Sequence, residues 1–365
     1  MPPLALYLHI PFCRRKCPYC DFNTYAGREG RYAAYAQALA TDLTREGLAQ
    51  GRPPVRSVFV GGGTPTVLAP DHLETIWAGL RRGFHLLPDA EITVEANPGT
   101  VDRSRFETLR RLGVNRLSLG VQSFAADELR FLGRIHSAED TIAAVALARR
   151  VGFTNINLDL IFGLPGQRPS SWAQTLERAL DLAPEHLSLY SLTVEEGTPL
   201  ATWVAQGRVA PPDPDLAADL YELACERLEA AGYHHYEISN WAQGPLEADG
   251  LPRYASRHNL VYWRNEPYLG FGPGAHSHQN GRRWAIIRSP DAYIRHVAEG
   301  PAPREFEETL SPALMMGETM MLGLRLLGTG VSRAAFRERF GSEVTEVYAK
   351  ELAELTARGL VEVTP

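Results

Sequence analysis

Cys13, Cys17 and Cys20 stand in the spacing C-x3-C-x2-C, within CRRKCPYC. They directly follow an apolar run, Leu4 to Ile10, that predicts a strand. Three thiolates in one short loop can hold three irons of a [4Fe–4S] cluster, which takes four cysteines when fully ligated. The fourth cysteine, Cys225, lies far along the chain in ELACERLEAAG, a helical pattern, and reads as a small packing residue. One iron is then left open for a small molecule, which makes it a catalytic iron and not merely an electron relay. Arg14, Arg15 and Lys16 would offset the charge of the thiolate-bound cluster and guide an acidic electron donor to it.

Other chemistry fits the same loop. An odd number of cysteines in it argues against a disulfide. Zinc with His9 or Asp21 as fourth ligand stays open, although structural zinc sites usually pair two C-x2-C knuckles. A cysteine cluster without a cofactor stays open too, and the basic residues also read as a solvated loop.

Further polar groups fall at the ends of predicted strands. Gly61-Gly62-Gly63-Thr64-Pro65-Thr66 follows VRSVFV and reads as a tight turn or as backbone laid against a ligand. Glu95 ends EITVE, Gln122 follows NRLSLG, and Arg134 lies in LGRIHS. Asp159 sits among leucines in NINLDLIFGLPGQ, where a carboxylate is costly unless paired, so an Asp159–Arg134 ion pair is one expectation.

The elements that must position these residues alternate. Strands are predicted at Leu4–Ile10, Val55–Val60, Glu91–Glu95, Asn115–Leu119, Asn155–Ile161 and His186–Leu192. Helices are predicted at Arg31–Glu46, Asp71–Arg82, Arg103–Leu112, Ala138–Val151 and Ser170–Leu182. Strand then helix, repeated, implies parallel βαβ units, too few for an ordinary eight-unit barrel. In such α/β architectures ligands bind at the C-terminal ends of the strands, where the candidate residues fall. A Gly/Pro-rich linker, 197–214, and a helix, Leu216–Ala231, come next. From about Thr309 a separate module is expected, with helices Ala313–Leu327, Ser332–Phe340 and Val344–Ala357 and a final short strand in GLVEV. The resulting division is 1–200, 201–308 and 309–365.

At 365 residues the chain can bury a large core. A net charge of −6 gives no global basic field, so nucleic acid is not an expected partner. No apolar stretch reaches the length of a membrane span, and no secretory signal pattern opens the sequence, so a cytoplasmic protein is expected.

C-x3-C-x-aromatic-C, with Tyr19 as the aromatic, resembles the signature of radical S-adenosylmethionine (SAM) enzymes. The longer string YLHIPFCRRKCPYCDF is similar to the oxygen-independent coproporphyrinogen III oxidase-like family, which also has a haem-chaperone branch. The resemblance implies an α/β fold with an open (β/α)6 partial TIM barrel and an α+β C-terminal region ending in a winged-helix-like module. It implies SAM chelated on the open iron and cleaved to a 5′-deoxyadenosyl radical. It assigns SAM contacts to Tyr7, Tyr19, Gly62, Gly63, Thr64, Glu95, Gln122, Arg134 and Asp159, with one SAM or two left open. His258-Asn259-Leu260-Val261-Tyr262-Trp263 fits the HNxxYW motif of the haem-chaperone branch. That match implies a haem site at His258, Asn259, Tyr262 and Trp263, with His258 on the iron and His276 and His278 as rivals. Without the motif, His258 reads as a satisfied histidine on a packed aromatic strand.

Three functions compete on these residues. The branch that holds oxygen-independent coproporphyrinogen III dehydrogenase continues the pattern as C-x3-C-x2-C-x-C, whereas Phe22 stands two residues after Cys20 here. The dehydrogenase also has a longer segment before the cysteine loop, and HNLVYW belongs to the other branch. The expected function is therefore a haem chaperone, ahead of coproporphyrinogen decarboxylation and of a non-catalytic winged-helix regulator. The implied partners are haem-accepting apoproteins and an electron donor of flavodoxin or ferredoxin type. Peripheral membrane association through a partner and a dimer are left open.

Overall fold

A computed structural model describes residues 3–364. Leu4–Ile10 (β1), Pro54–Gly62 (β2), His85–Ala96 (β3), Arg116–Gln122 (β4), Ile156–Phe162 (β5) and His186–Ser191 (β6) pair in parallel, in sequence order. Their apolar runs are continuous because both faces of the sheet are covered: Leu6, Leu8, Ile10, Val58, Leu117 and Leu158 are fully buried. Burial of each such side chain stabilises the fold by about 1.5–3 kcal/mol.

Between the strands run helices Tyr32–Ala49, Pro70–Gly83, Arg103–Leu112, Ala138–Val151 and Pro169–Asp181, all at the predicted places. Local signals set their ends. Asp102 caps one by accepting from the Arg105 backbone N–H, and Ser137 with Asp140 forms a capping box on another.

The sheet does not stop near residue 200. Tyr268–Phe271 (β9) returns to lie parallel to β1, adding a seventh parallel strand beside it. The first strand of a chain of βαβ units leaves one edge unpaired, and that edge takes any strand the later chain supplies. His276–Gln279 (β10), Arg282–Ile286 (β11) and Arg304–Thr309 (β12) extend that side in antiparallel fashion. On the other side Asn240–Ala242 (β8) pairs antiparallel with β6, and His234–Glu237 (β7) pairs antiparallel with β8. The full order is β12-β11-β10-β9-β1-β2-β3-β4-β5-β6-β8-β7, an open sheet.

Three local expectations change. The expected linker contains a helix, Pro199–Ala205, capped by Thr198. HNLVYW lies on a helix, Arg257–Trp263, with Ser256 as its N-cap, and not on an aromatic strand. At the C-terminus helices Pro312–Gly323, Arg333–Phe340, Val344–Val347 and Ala349–Ala357 form. No strand forms in GLVEV among the described residues, so the wing is not seen. This module is tied to the sheet through Arg325, which lies 4.4 Å from the Trp263 ring centroid and 3.5 Å from the buried Glu237 carboxylate. Among the described residues no helix is long and apolar enough to cross a membrane.

Candidate cofactor pocket and a second cavity

The cysteine loop is stitched to the glycine loop by backbone hydrogen bonds. Gly63 N–H donates to Ile10 C=O at 2.8 Å and Thr64 N–H to Phe12 C=O at 2.7 Å. The glycines answer first to this packing. A Cβ on Gly62, which has φ +102°, would sit 2.4 Å from the His9 ring, and one on Gly63 would sit 2.5 Å from the Phe12 carbonyl.

Together these loops open onto a cavity of about 480 Å³ at the C-terminal ends of β1 to β6. It brings together Cys13, Cys17, Cys20, Tyr19, Gly62, Gly63, Thr64, Glu95, Gln122, Arg134 and Asp159. All four cysteines of the chain are free thiols, and burial raises the Cys13 and Cys20 thiols. Thr64 Oγ1 and Arg134 Nη1 each lie 3.6 Å from a thiol, of Cys13 and Cys17 respectively.

Arg134 and Asp159 are not an ion pair. Arg134 donates from Nη2 to Gly120 C=O at 2.6 Å, and its Nε is buried without a partner. Asp159 accepts from Ser118 Oγ at 3.0 Å and Asn157 Nδ2 at 2.8 Å. Burial and then the neighbouring Asp159 push Glu95 up to about 8, although its carboxylate accepts from Gly62 N–H at 3.1 Å. Gln122 has φ +71° at a register shift in β4, a strained conformation for a non-glycine residue that fits a ligand-facing position.

These residues fit a cluster with SAM. Three thiols on one rim can each take a different iron, beside a guanidinium with an unused donor and two carboxylates that can accept from hydroxyls or an ammonium. Zinc fits less well. Its thiolates would lie about 3.8 Å apart, given Zn–S of about 2.3 Å. Among the described residues no three His, Cys, Asp or Glu side chains converge on a single ion. His9, the suggested zinc ligand, has both ring nitrogens engaged, with Tyr7 OH and with Asn23 C=O, each at 2.9 Å.

A second cavity, of about 600 Å³, lies against the first. Phe22, Gly62 and Glu95 line both. Its other walls include Tyr7, Tyr262, Tyr268, Phe306, His276 and Arg288, so Tyr7 faces this space and does not line the cysteine pocket. Of the HNLVYW residues only Tyr262 reaches it. His258 is 1% exposed, with Nδ1 3.0 Å from Ser57 Oγ and Nε2 2.9 Å from Tyr262 OH. Its backbone N–H donates to Glu91 at 3.0 Å, and burial pulls its pKa down to about 3. A residue held this way is a brace, its ring joining β2 to Tyr262 and its backbone reaching β3, with no ring nitrogen free for iron. Asn259 is half-buried and donates its backbone N–H to Ser256 Oγ, while Trp263 packs under Arg325.

Two family models match the sequence: the radical SAM superfamily over residues 7–179 and the HemN C-terminal domain over residues 310–365. Heme chaperone HemW of Bacillus subtilis (strain 168) is 38% identical over 98% of this chain and 92% of its own length. Heme chaperone HemW of Escherichia coli (strain K12) is 42% identical over 84% of this chain and 76% of its own. The chain belongs to the HemW family of radical SAM proteins. Coproporphyrinogen III oxidase (HemN) from Escherichia coli, a radical SAM enzyme, superposes with a TM-score of 0.83 at 26% identity, covering 99% of this chain and 85% of that one.

Within this HemW-family chain, reasoning from sequence missed several groups. Asn157 and Ser118 hold the Asp159 carboxylate, and Asn157 was legible as a polar residue two positions before Asp159 on the same strand face. Tyr190 and Ser191 line the cysteine pocket from the end of β6. Tyr268, Arg288 and Phe306 had no local signal, because only the pairing of β9 to β12 carries them to the second cavity.

Proposed function

We propose that this chain is a haem chaperone that holds a [4Fe–4S] cluster, SAM and haem and delivers haem to apoproteins. Cys13, Cys17 and Cys20 would hold the cluster, and the cluster with SAM would supply one-electron chemistry. Arg134 grips the SAM carboxylate, while Asp159 and Glu95 accept from its hydroxyls or ammonium. Asn157 and Ser118 keep the Asp159 carboxylate aimed. Tyr19, Thr64 and Gln122 complete the walls. Reducing electrons come from a flavodoxin or ferredoxin type protein that docks where Arg14, Arg15 and Lys16 are exposed at the pocket mouth.

The observation that carries the haem reading is the second, aromatic-walled cavity, whose volume suits a cofactor-sized ligand. Relatives that bear the name heme chaperone over most of their length support it. Phe22 supports it as well, since the dehydrogenase pattern places a cysteine there.

The likeness to HemN over nearly the whole chain favours a second reading, oxidative decarboxylation of coproporphyrinogen III. One experiment separates the two. The protein, purified without oxygen and reconstituted, is given haem in one assay and coproporphyrinogen III with SAM and a strong reductant in another. Stable haem retention without porphyrinogen product is expected; product formation would reassign the chain to decarboxylation.

A further inference from the structure

We propose that haem occupies the second cavity with His276 as the ligand to its iron and Arg288 as the partner of a propionate. This rests on the haem reading above and names the site for it.

Elimination leads to His276. Two histidines line the cavity, His9 and His276. His9 is spent on Tyr7 OH and Asn23 C=O and is buried. His258 lies behind the wall, spent on Ser57 and Tyr262. His278, two residues along β10, is buried and does not line the cavity. His276 sits at the start of β10, is exposed, and its ring carries no hydrogen bond to another described residue.

The surroundings suit a flat, apolar, dianionic macrocycle. Phe22 is 60% exposed and Phe306 45%, large apolar rings left open to solvent on the walls of one cavity. Tyr262 and Tyr268 stand edge to face, with centroids 4.8 Å apart, and form another wall. Arg288 is exposed at the rim and supplies a guanidinium for a carboxylate. Glu305 and Glu95 also face the space, so the propionates must turn toward Arg288 and away from them. Because Phe22, Gly62 and Glu95 line both cavities, haem here lies next to the cysteine pocket.

The test uses the full, cluster-reconstituted chain titrated with hemin and read by absorption and electron paramagnetic resonance, with retention measured by gel filtration. The wild type is expected to show a histidine-ligated ferric spectrum. His276→Ala should lose that signature and retain haem about tenfold less tightly or worse, at least the loss seen when groups that support a metal are removed. His276→Gly with added imidazole should regain the signature, which a change in folding would not allow. Arg288→Gln should weaken retention and leave the signature. A wild-type signature in His276→Ala, or failure of imidazole to restore it in His276→Gly, overturns the assignment to His276. A wild type that retains no haem at all overturns the haem reading itself.

Discussion

The two adjoining cavities are built by opposite means. The cysteine pocket stands on the ends of six parallel strands, and each residue in it is placed by its own strand and the turn that follows. Its polar groups are tied down: Asp159 by Asn157 and Ser118, Glu95 by Gly62, Arg134 by Gly120. The second cavity joins Tyr7 and Phe22 to residues after 260, its walls carry the rings of Tyr7, Phe22, Tyr262, Tyr268 and Phe306, and its one histidine with free nitrogens is unrestrained. A pre-organised polar pocket suits a cofactor that stays and reacts; an open aromatic slot with an adaptable ligand suits a molecule that must leave again.

The largest expected effect lies in the first cavity. Cys13→Ser, Cys17→Ser or Cys20→Ser should each abolish a reconstituted content of about four irons and its thiolate-to-iron absorption band. Cys225→Ser should keep both, since that residue is half-buried far from the loop. Stoichiometric zinc without sulfide, in protein purified without oxygen, would break the distinction at its base.

Arg134→Ala and Asp159→Ala should weaken SAM binding by about ten- to a hundredfold, because each strips a polar partner from a buried site. Asn157→Ala should do so more mildly, by freeing Asp159. Isothermal titration of the reconstituted protein checks all three. Unchanged affinity in both Arg134→Ala and Asp159→Ala would make the polar tie-downs structural only.

His258→Ala sharpens the comparison from the other side. As a brace, its loss leaves Ser57, Tyr262 and a cavity unsatisfied and should cost about 1–3 kcal/mol in chemical denaturation. The iron signature of bound haem should persist in that variant. Its disappearance would return the iron to HNLVYW.

A pH series isolates Glu95. Folding raises its pKa to about 8 from the ordinary 4.5, so the folded chain holds this proton more tightly than the unfolded one. The Glu95 contribution to cofactor-free stability should therefore fall as pH rises, by up to about 1.4 kcal/mol per unit, and level off above about pH 8, against an opposite contribution from buried histidines such as His258 and His136, which burial pulls down to about 3 and about 4. Asp159, also raised by burial, adds to the slope with the same sign. Glu95→Gln should flatten the Glu95 share in denaturation runs between about pH 5 and 9; an unchanged slope would remove Glu95 as its source.

The smallest effect concerns the mouth of the cysteine pocket. Neutralising Arg14, Arg15 and Lys16 together should slow reduction by an acidic donor at low salt and matter little at high salt, since exposed charges are screened. Stopped-flow reduction at two ionic strengths measures this, and equal slowing at both would exclude electrostatic docking.

The sequence by itself determined whatever depends on neighbours along the chain. CRRKCPYC puts three thiols within eight residues, and the strand–helix alternation, the caps at Asp102 and Ser137, and the positions of Glu95 and Gln122 at strand ends all follow from local sequence. Phe22 was legible for the same reason, as a residue at a fixed offset. Tertiary structure decided what depends on pairing between distant segments. β9 finds the open edge of β1 and carries the β10 to β12 strands with it, so His276 and Phe306 reach Tyr7 and Phe22. HNLVYW pointed to a ligand through its likeness to the HNxxYW motif of the haem-chaperone branch, but a motif cannot reveal what its side chains will meet. Ser57 on β2 and the Tyr262 hydroxyl take both nitrogens of His258, while three strands away His276 is left with none taken. Whether a histidine is a brace or a ligand is set by the hydrogen bonds that folding brings to it, and those partners lie on other elements.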